Sequence, residues 1–253
     1  MILNTFSENN LEKLLYEIHM PDEVTSDILN YAKTGSFSLP GIDELTQHIL
    51  KSLESRENGE WHNLPEDIFI ATMGCFSRFV NEYKVSCNSY GFDRAFWTTR
   101  QASAKLFRIG ELEYEFADDD AHNIHLHIPS DANLDPKYLN DSVRKMRTFL
   151  EKYYPKRKDD PVCVDTWLLS PALKELLPDG SRILSFQAAF DITKYEPEAM
   201  DCIEWVFKIP SSGIGNVSIS DLPENTTLQR NMKEYLLRGK KVGIAYGILV
   251  RDF

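Results

Sequence analysis

Near residue 107 the hydrophobic period of this chain changes from that of a helix to that of a strand, so neither an all-α nor an all-β fold accommodates it. Before that point the apolar residues recur three and four apart: Leu11, Leu14, Leu15 and Ile18, then Val24, Ile28 and Tyr31, then Leu45, Ile49 and Leu53. That spacing lays one apolar stripe along a helix. Pro21 and Asp22 suit a helix start, Gly35 a helix end, and "SLPG" at 38–41 another break. A longer helix is predicted from Pro65 toward Tyr83, burying Ile68, Phe76, Phe79 and Val80, and a further one across "FDRAFWTTRQASAKLF".

Beyond residue 107, segments of period two alternate with helical ones. Strands are predicted at "GELEYEF", "NIHLHIP", "VCVDTWLL", "RILSFQAAFDI", "CIEWVFKI" and "KVGIAYGILV", with helices near 136–153, at "PALKELL" and near 225–238. The fold class is therefore α/β (α+β), with a junction expected after "NSYG": a helical domain over 1–94 and a second domain over 95–253.

Composition narrows the function. A net charge of −11 opposes the basic footprint of a nucleic-acid binder. The local exception is "SVRKMRTFLEKYYPKRK", read either as a solvated helix face or as an attractor of a phosphorylated ligand. Cys75, Cys87, Cys163 and Cys202 are widely spaced and contain no C-x-x-C pair. With no basic and apolar leader and no run of about 18 apolar residues, neither secretion nor membrane spanning is expected, and a cytoplasmic protein is.

The stretch "GELEYEFADDDAHNIHLHIP" at 110–129 concentrates the chemistry. On extended backbone Glu111, Glu113 and Glu115 share one face, and Asn123, His125 and His127 share one face of the next strand. A hairpin through "ADDDAH" in the register that keeps apolar beside apolar sets the glutamates among the histidines. Three readings follow. The face is the wet side of an antiparallel sheet, or it lines a cleft where a carboxylate or imidazole removes a proton, or it holds a metal. No H-E-x-x-H motif supports the third, and no metal is expected. Elsewhere "SSGIGN" at 211–216 lacks the dinucleotide fingerprint, and there is no Walker A sequence and no G-x-S-x-G elbow. Asp165 interrupts an apolar strand and is expected to be buried and hydrogen-bonded, while Asn225 or Thr226 suits a helix cap.

Taken together, "FWTTRQASAKLFRIGELEYEF", "NIHLHIP", "DTWLLSPALKELLP", "ILSFQAAF" and "LPENTTLQRNMKEYLLRG" resemble a bacterial family of N-acyltransferases that joins a helical N-terminal domain to a GNAT-like C-terminal domain. The resemblance implies a GNAT-like, mixed and mostly antiparallel sheet, and transfer from acetyl-CoA or another acyl-CoA to an amine of a small molecule or peptide. In GNAT enzymes a glycine-rich loop at a helix start binds the CoA pyrophosphate. Here Ser130, Asp131 and Ala132 stand where glycines are expected, with Arg144, Lys145 and Arg147 on the following helix as candidate phosphate contacts. Direct transfer is the implied mechanism, with Glu113 or His127 as base, His125 beside them, and backbone N–H groups of a splayed strand on the thioester carbonyl. Cys163 as an acylated nucleophile is disfavoured, since nothing in the sequence pairs it with a base. The alternative is a non-catalytic acyl-CoA or small-ligand binding module with a degenerate GNAT fold. A metal-dependent hydrolase using the Glu/His face is more distant.

Overall fold

A computed structural model describes residues 5–116 and 122–253. The acidic turn at 117–121, through which the sequence reading closes a hairpin, lies outside the described residues. The chain divides into two compact units, one of Met1–Ile109 with Glu113–Phe116 and one of Gly110–Leu112 with Ala117–Phe253.

The first unit begins with α1 (Thr5–Glu17), α2 (Asp22–Thr34), α3 (Ile42–Asn58), α4 (Glu66–Cys87) and α5 (Ala95–Ala102). Punctuation sets their ends. Pro21 precedes the first turn of α2, and Gly35 closes it at φ 77° with its N–H on the Tyr31 carbonyl. The apolar stripes meet in a core of Leu11, Leu15, Val24, Ile28, Ile42, Leu45, Ile49 and Phe76. Trp61 is fully buried there because its one polar atom is satisfied, donating to the Gln101 carbonyl at 2.8 Å. The helix expected through Phe107 stops at Ala102. Ala104 is left-handed at φ 51°, and β1 (Leu106–Ile109) follows with Leu106, Phe107 and Ile109 buried. Gly110, at φ 67°, turns the chain into β2 (Leu112–Phe116), and the Phe116 N–H returns to the Lys105 carbonyl at 2.8 Å.

The second unit carries β3 (Ile124–His127), α6 (Pro136–Tyr153), β4 (Val162–Thr166), α7 (Leu173–Leu176), α8 (Arg182–Ala188), β5 (Phe190–Glu196), α9 (Asp201–Phe207), α10 (Thr227–Leu237) and β6 (Ile244–Leu249). Its strands lie in the order β3-β4-β6-β5. Within this unit β3 and β4 run parallel, while β4–β6 and β5–β6 are antiparallel. Parallel neighbours need a long crossover, and α6 supplies it. The α6 helix buries Leu139, Met146, Phe149 and Leu150 along one stripe. Each such burial is worth about 1.5–3 kcal/mol, against tenths for an exposed ion pair, so this stripe fixes how the helix sits.

Two predicted strands prove helical. "RILSFQAAFDI" opens as α8, capped by Ser181, whose side chain accepts from the Ile183 N–H at 3.3 Å, and only its end enters β5. "CIEWVFKI" forms α9, in which Ile203 and Phe207, four apart, are buried and Lys208 ends the helix at φ 60°. Short apolar runs fit either period, and here the cap residues decide. Of the two expected caps for α10, Thr226 serves, in a reciprocal capping box with Gln229.

Entry into β6 rests on Gly243, whose φ is 67° and where a Cβ would sit 2.4 Å from the Glu196 carbonyl oxygen and 2.7 Å from Pro197 Cα. Both contacts are backbone and cannot swing away. Gly243→Ala is therefore expected to lose about 2 kcal/mol or more of unfolding free energy in a urea titration, whereas Gly180→Ala, left-handed but in open space, is expected to lose less.

Candidate functional site

The parallel ladder between β3 and β4 is short. It pairs Ile124 with Val162 and His125 with Cys163, yet β3 continues to His127 and β4 to Thr166. From there β4 stays with β6, Asp165 opposite Tyr246 and Thr166 opposite Ala245. The two parallel strands thus part at their C-terminal ends, and Pro129 follows at once, a residue that cannot donate to a ladder. Such an opening, at the C-terminal ends of parallel strands, is where ligands enter α/β sheets.

The registers gather polar groups on one face. His125 and His127 alternate with the buried Ile124 and Leu126, and both histidines are half-buried. Cys163, Asp165 and Tyr246 share that face, as does Lys194, which pairs with Tyr246 across β5 and β6. Cys163 Sγ lies 3.6 Å from His125 Nδ1, so the thiol has a neighbouring base that the sequence alone did not show. A hydrogen bond to Cys163, reinforced by burial, pushes the Tyr246 phenol up to about 12. Asp165 is exposed, not buried as expected, because it lies two residues beyond the last rung. Partial desolvation first, then the Glu196 and Asp201 carboxylates, raise it above the usual carboxylate range.

Three amides of the loop from β3 to α6 are hydrogen-bonded within the chain. The Ala132 N–H closes a turn on the Pro129 carbonyl at 3.0 Å, and the Asn133 N–H reaches Glu111 Oε2 at 2.8 Å. The Asp135 N–H binds the Asn133 side chain at 3.0 Å, and the Asp135 carboxylate caps α6 by accepting from the Lys137 N–H at 3.1 Å. An acidic cap holds the place at a helix start where an anionic ligand would otherwise bind. Ser130 and Asp131, expected to contact such a ligand, are exposed on this loop.

Comparison with known proteins identifies the family and the fold. The family described as "GNAT-like C-terminal domain" matches residues 106–249, and "N-acyltransferase N-terminal domain" matches 49–104. The chain belongs to this N-acyltransferase family. Among solved structures, an acyltransferase in complex with decanoyl-CoA and teicoplanin is similar with a TM-score of 0.81 at 17% identity, over 98% of this chain and 89% of that one. An acyltransferase in complex with decanoyl-CoA is similar with a TM-score of 0.77 at 21% identity, over 95% and 87%. At these identities the likeness is one of fold. A comparison with curated proteins finds no match. Among the described residues no helix is long and apolar enough to cross a membrane, and no group of three or more His, Cys, Asp or Glu side chains is arranged to hold a metal ion.

The basic residues on α6 lie away from its start. Arg144 and Lys145 are exposed and paired with Asp141, Lys145 at 2.8 Å. They sit about 12 Å along the axis from the first turn, at 1.5 Å per residue. Arg147 instead donates to the carbonyls of Lys158 and Asp160 at 2.8 and 2.9 Å, tying down the loop before β4. Besides Lys137 of its own first turn, the start of α6 has Arg182 of α8 beside it, 3.4 Å from Asn133 Oδ1 and 3.8 Å from Asp135 Oδ2. The sequence carried no signal for it, since it lies 49 residues from Asn133.

The three glutamates go separate ways. Glu111 lies in the turn before β2 and takes the Asn133 N–H, while Glu115 pairs with Arg100 at 2.8 Å. Glu113 is only 2% exposed, with Oε1 2.8 Å from Arg78 of α4. The wet-face reading therefore fails for Glu113, because β2 is buried on both sides at Leu112, Glu113 and Tyr114. Arg78→Met would strand that carboxylate, and a loss of about 3–5 kcal/mol is expected. The pair Arg78→Met/Glu113→Gln should recover most of it. Chemical denaturation of the single and double variants checks both, and a loss below about 1 kcal/mol in the single variant would show that Glu113 does not depend on this partner.

Proposed function

We propose that this chain catalyses direct transfer of an acyl group from acyl-CoA to an amine of a small molecule or peptide. The observation that carries the reading is the parting of β3 and β4 just past His125 and Cys163, with His127 at the end of β3, in a member of an N-acyltransferase family. The acyl thioester enters the gap. Backbone N–H groups at the parted strand ends polarise its carbonyl. His127 takes the proton as the amine attacks, the amide forms as the C–S bond breaks, and His127 returns that proton to the departing sulfur, so that CoA leaves as the thiol and the imidazole is neutral again. Solved acyltransferases of this fold hold decanoyl-CoA and teicoplanin, which supports an acyl-CoA donor and an acceptor of small-molecule or peptide kind.

Diphosphate recognition differs here from a glycine loop. With the Ala132, Asn133 and Asp135 amides bound within the chain and the Lys137 amide capped, side chains carry it, and Arg182 is assigned that contact. Glu113, committed to Arg78, takes no part in proton transfer in this reading. The free cysteines Cys75, Cys87, Cys163 and Cys202 and the use of CoA suit a cytoplasmic setting.

Incubation with acyl-CoAs of graded length and a panel of amines, following free thiol, tests the activity. Acyl-CoA binding without thiol release under any acceptor would support the non-catalytic module instead. His127→Ala is expected to lower turnover about 100-fold with little change in melting temperature. Loss of folding in step with activity would make the residue structural. Arg182→Ala is expected to raise the KM for acyl-CoA about tenfold, near 1.4 kcal/mol, whereas the Arg144→Ala/Lys145→Ala pair should leave it within about twofold.

A further inference from the structure

The polar contact between the start of α8 and the start of α6 is too exposed to hold either in place. Arg182, the first residue of α8, reaches Asn133 Oδ1 at 3.4 Å and Asp135 Oδ2 at 3.8 Å, but the Arg182 and Asp135 side chains are 64% and 39% exposed. An exposed pair at that distance stabilises little. One turn further along α8, on the same face, stands Phe186. Its ring is stacked on that of Phe253, with centroids 5.4 Å apart and planes at 11°, and the Phe190 ring lies 5.8 Å from the same partner. Phe186 and Phe190 are both buried.

Phe253 is fixed to α6 as well. Its N–H donates to Asn140 Oδ1 at 2.9 Å, and Asn140 Nδ2 donates to the main-chain oxygen of Phe253 at 3.3 Å. Asn140 thus uses both ends of its amide on one residue, which sets the orientation of that amide. It stands one turn after Pro136, about 6 Å along the axis from the first residue of α6. The segment that carries Phe253 arrives from the other end of α8, where the Val250 N–H donates to the Ala189 carbonyl at 3.0 Å. Residues 250–253 therefore tie the end of α8 to the second turn of α6. Two contacts join these helices: an exposed ion pair at their starts, and one turn along a stack of aromatic rings with two directed hydrogen bonds. The second is the one that can hold the helices together.

We infer that Asn140 and Phe253 are positioning residues for acyl-CoA recognition, holding α8 against α6 so that the Arg182 guanidinium stands where the diphosphate binds. This rests on the reading of Arg182 as the diphosphate contact in the proposed transfer. Neither residue has to touch the ligand. The clamp settles the root of the Arg182 side chain before CoA arrives, so less freedom is lost on binding. Such a clamp matters most where the loop amides at a helix start are bonded within the chain, as those of Ala132, Asn133 and Asp135 are, because recognition then falls to a long side chain.

The test is a binding cycle read with CoA itself, which carries the diphosphate and has no acyl group to transfer. Dissociation constants are measured by isothermal titration calorimetry for the wild type, for Arg182→Ala, Asn140→Ala and Phe253→Ala, and for Arg182→Ala combined with each of the other two. Arg182→Ala is expected to weaken CoA binding about tenfold and Asn140→Ala and Phe253→Ala about fivefold each, while Phe253→Tyr, which keeps the ring, stays within about twofold of the wild type. Because the clamp acts through Arg182, each double variant should bind within about twofold of Arg182→Ala alone, where independent effects would multiply to about fiftyfold. A general loosening of the fold would weaken binding by the same factor with or without Arg182. In the thiol-release assay Asn140→Ala should raise the KM for acyl-CoA about fivefold and leave kcat unchanged. Full additivity in the cycle overturns the inference, and so does wild-type binding in either Asn140→Ala or Phe253→Ala. Asn140→Ala leaves the ring stack in place and decides the matter should Phe253→Ala fail to fold. If the wild type does not bind CoA, or Arg182→Ala binds it as the wild type does, the inference falls together with the assignment of Arg182. If binding follows the cycle but no acceptor gives thiol release, the acyl-transfer reading falls and the positioning role stands.

Discussion

The parallel pairing of β3 with β4 is the constraint on which the site depends. Two parallel strands cannot be joined by a tight turn, so the chain must cross over, and it does so through α6. The crossover brings a helix start to the C-terminal end of β3, beside the place where the ladder stops after His125 and Cys163. Had the two strands been antiparallel neighbours, no helix would begin there. The antiparallel partners β6 and β5 then extend the same face, which is how Tyr246 and Lys194, from the far end of the chain, come to stand in line with the histidines.

The helix start shows how one backbone economy replaces another. A glycine loop leaves its amides open to a phosphate; in the loop at 129–135 those of Ala132, Asn133 and Asp135 are instead bonded to Pro129, Glu111 and Asn133, and Asp135 closes the helix. Polar side chains that bond to nearby backbone make a rigid loop without glycine. They also put a carboxylate where an anion would sit, and Arg182 answers it from α8. The family likeness sets the fold, and these local hydrogen bonds set this chain's own terms for a ligand.

Much of the architecture was legible from pattern. The helices α2, α4, α6 and α10 follow from apolar stripes and from caps at Pro21, Pro65, Asp135 and Thr226. The misreadings share a cause. At 182–188 and 201–207 the apolar run is short enough to fit either period, and β-branched and aromatic residues suggested strand, while the deciding signals were Ser181 as a cap and the four-residue spacing of Ile203 and Phe207. At β1 the reverse happened, for a helical segment ran into "LFRI" without punctuation and tertiary burial of Leu106, Phe107 and Ile109 made it a strand.

By itself the sequence determined which side chains share a face, because extended backbone alternates them whatever surrounds it. It therefore set His125 beside His127, and Glu113 in phase with Glu111 and Glu115. It did not determine which faces meet water. The tertiary structure decided that β2 is buried on both sides and gave Glu113 to Arg78, 35 residues earlier, while leaving the histidines half-exposed where two strands part. It also gave Cys163 the base that no local spacing could supply. Alternation is a property of the chain, but burial and partnership are properties of the neighbours that the fold brings to it.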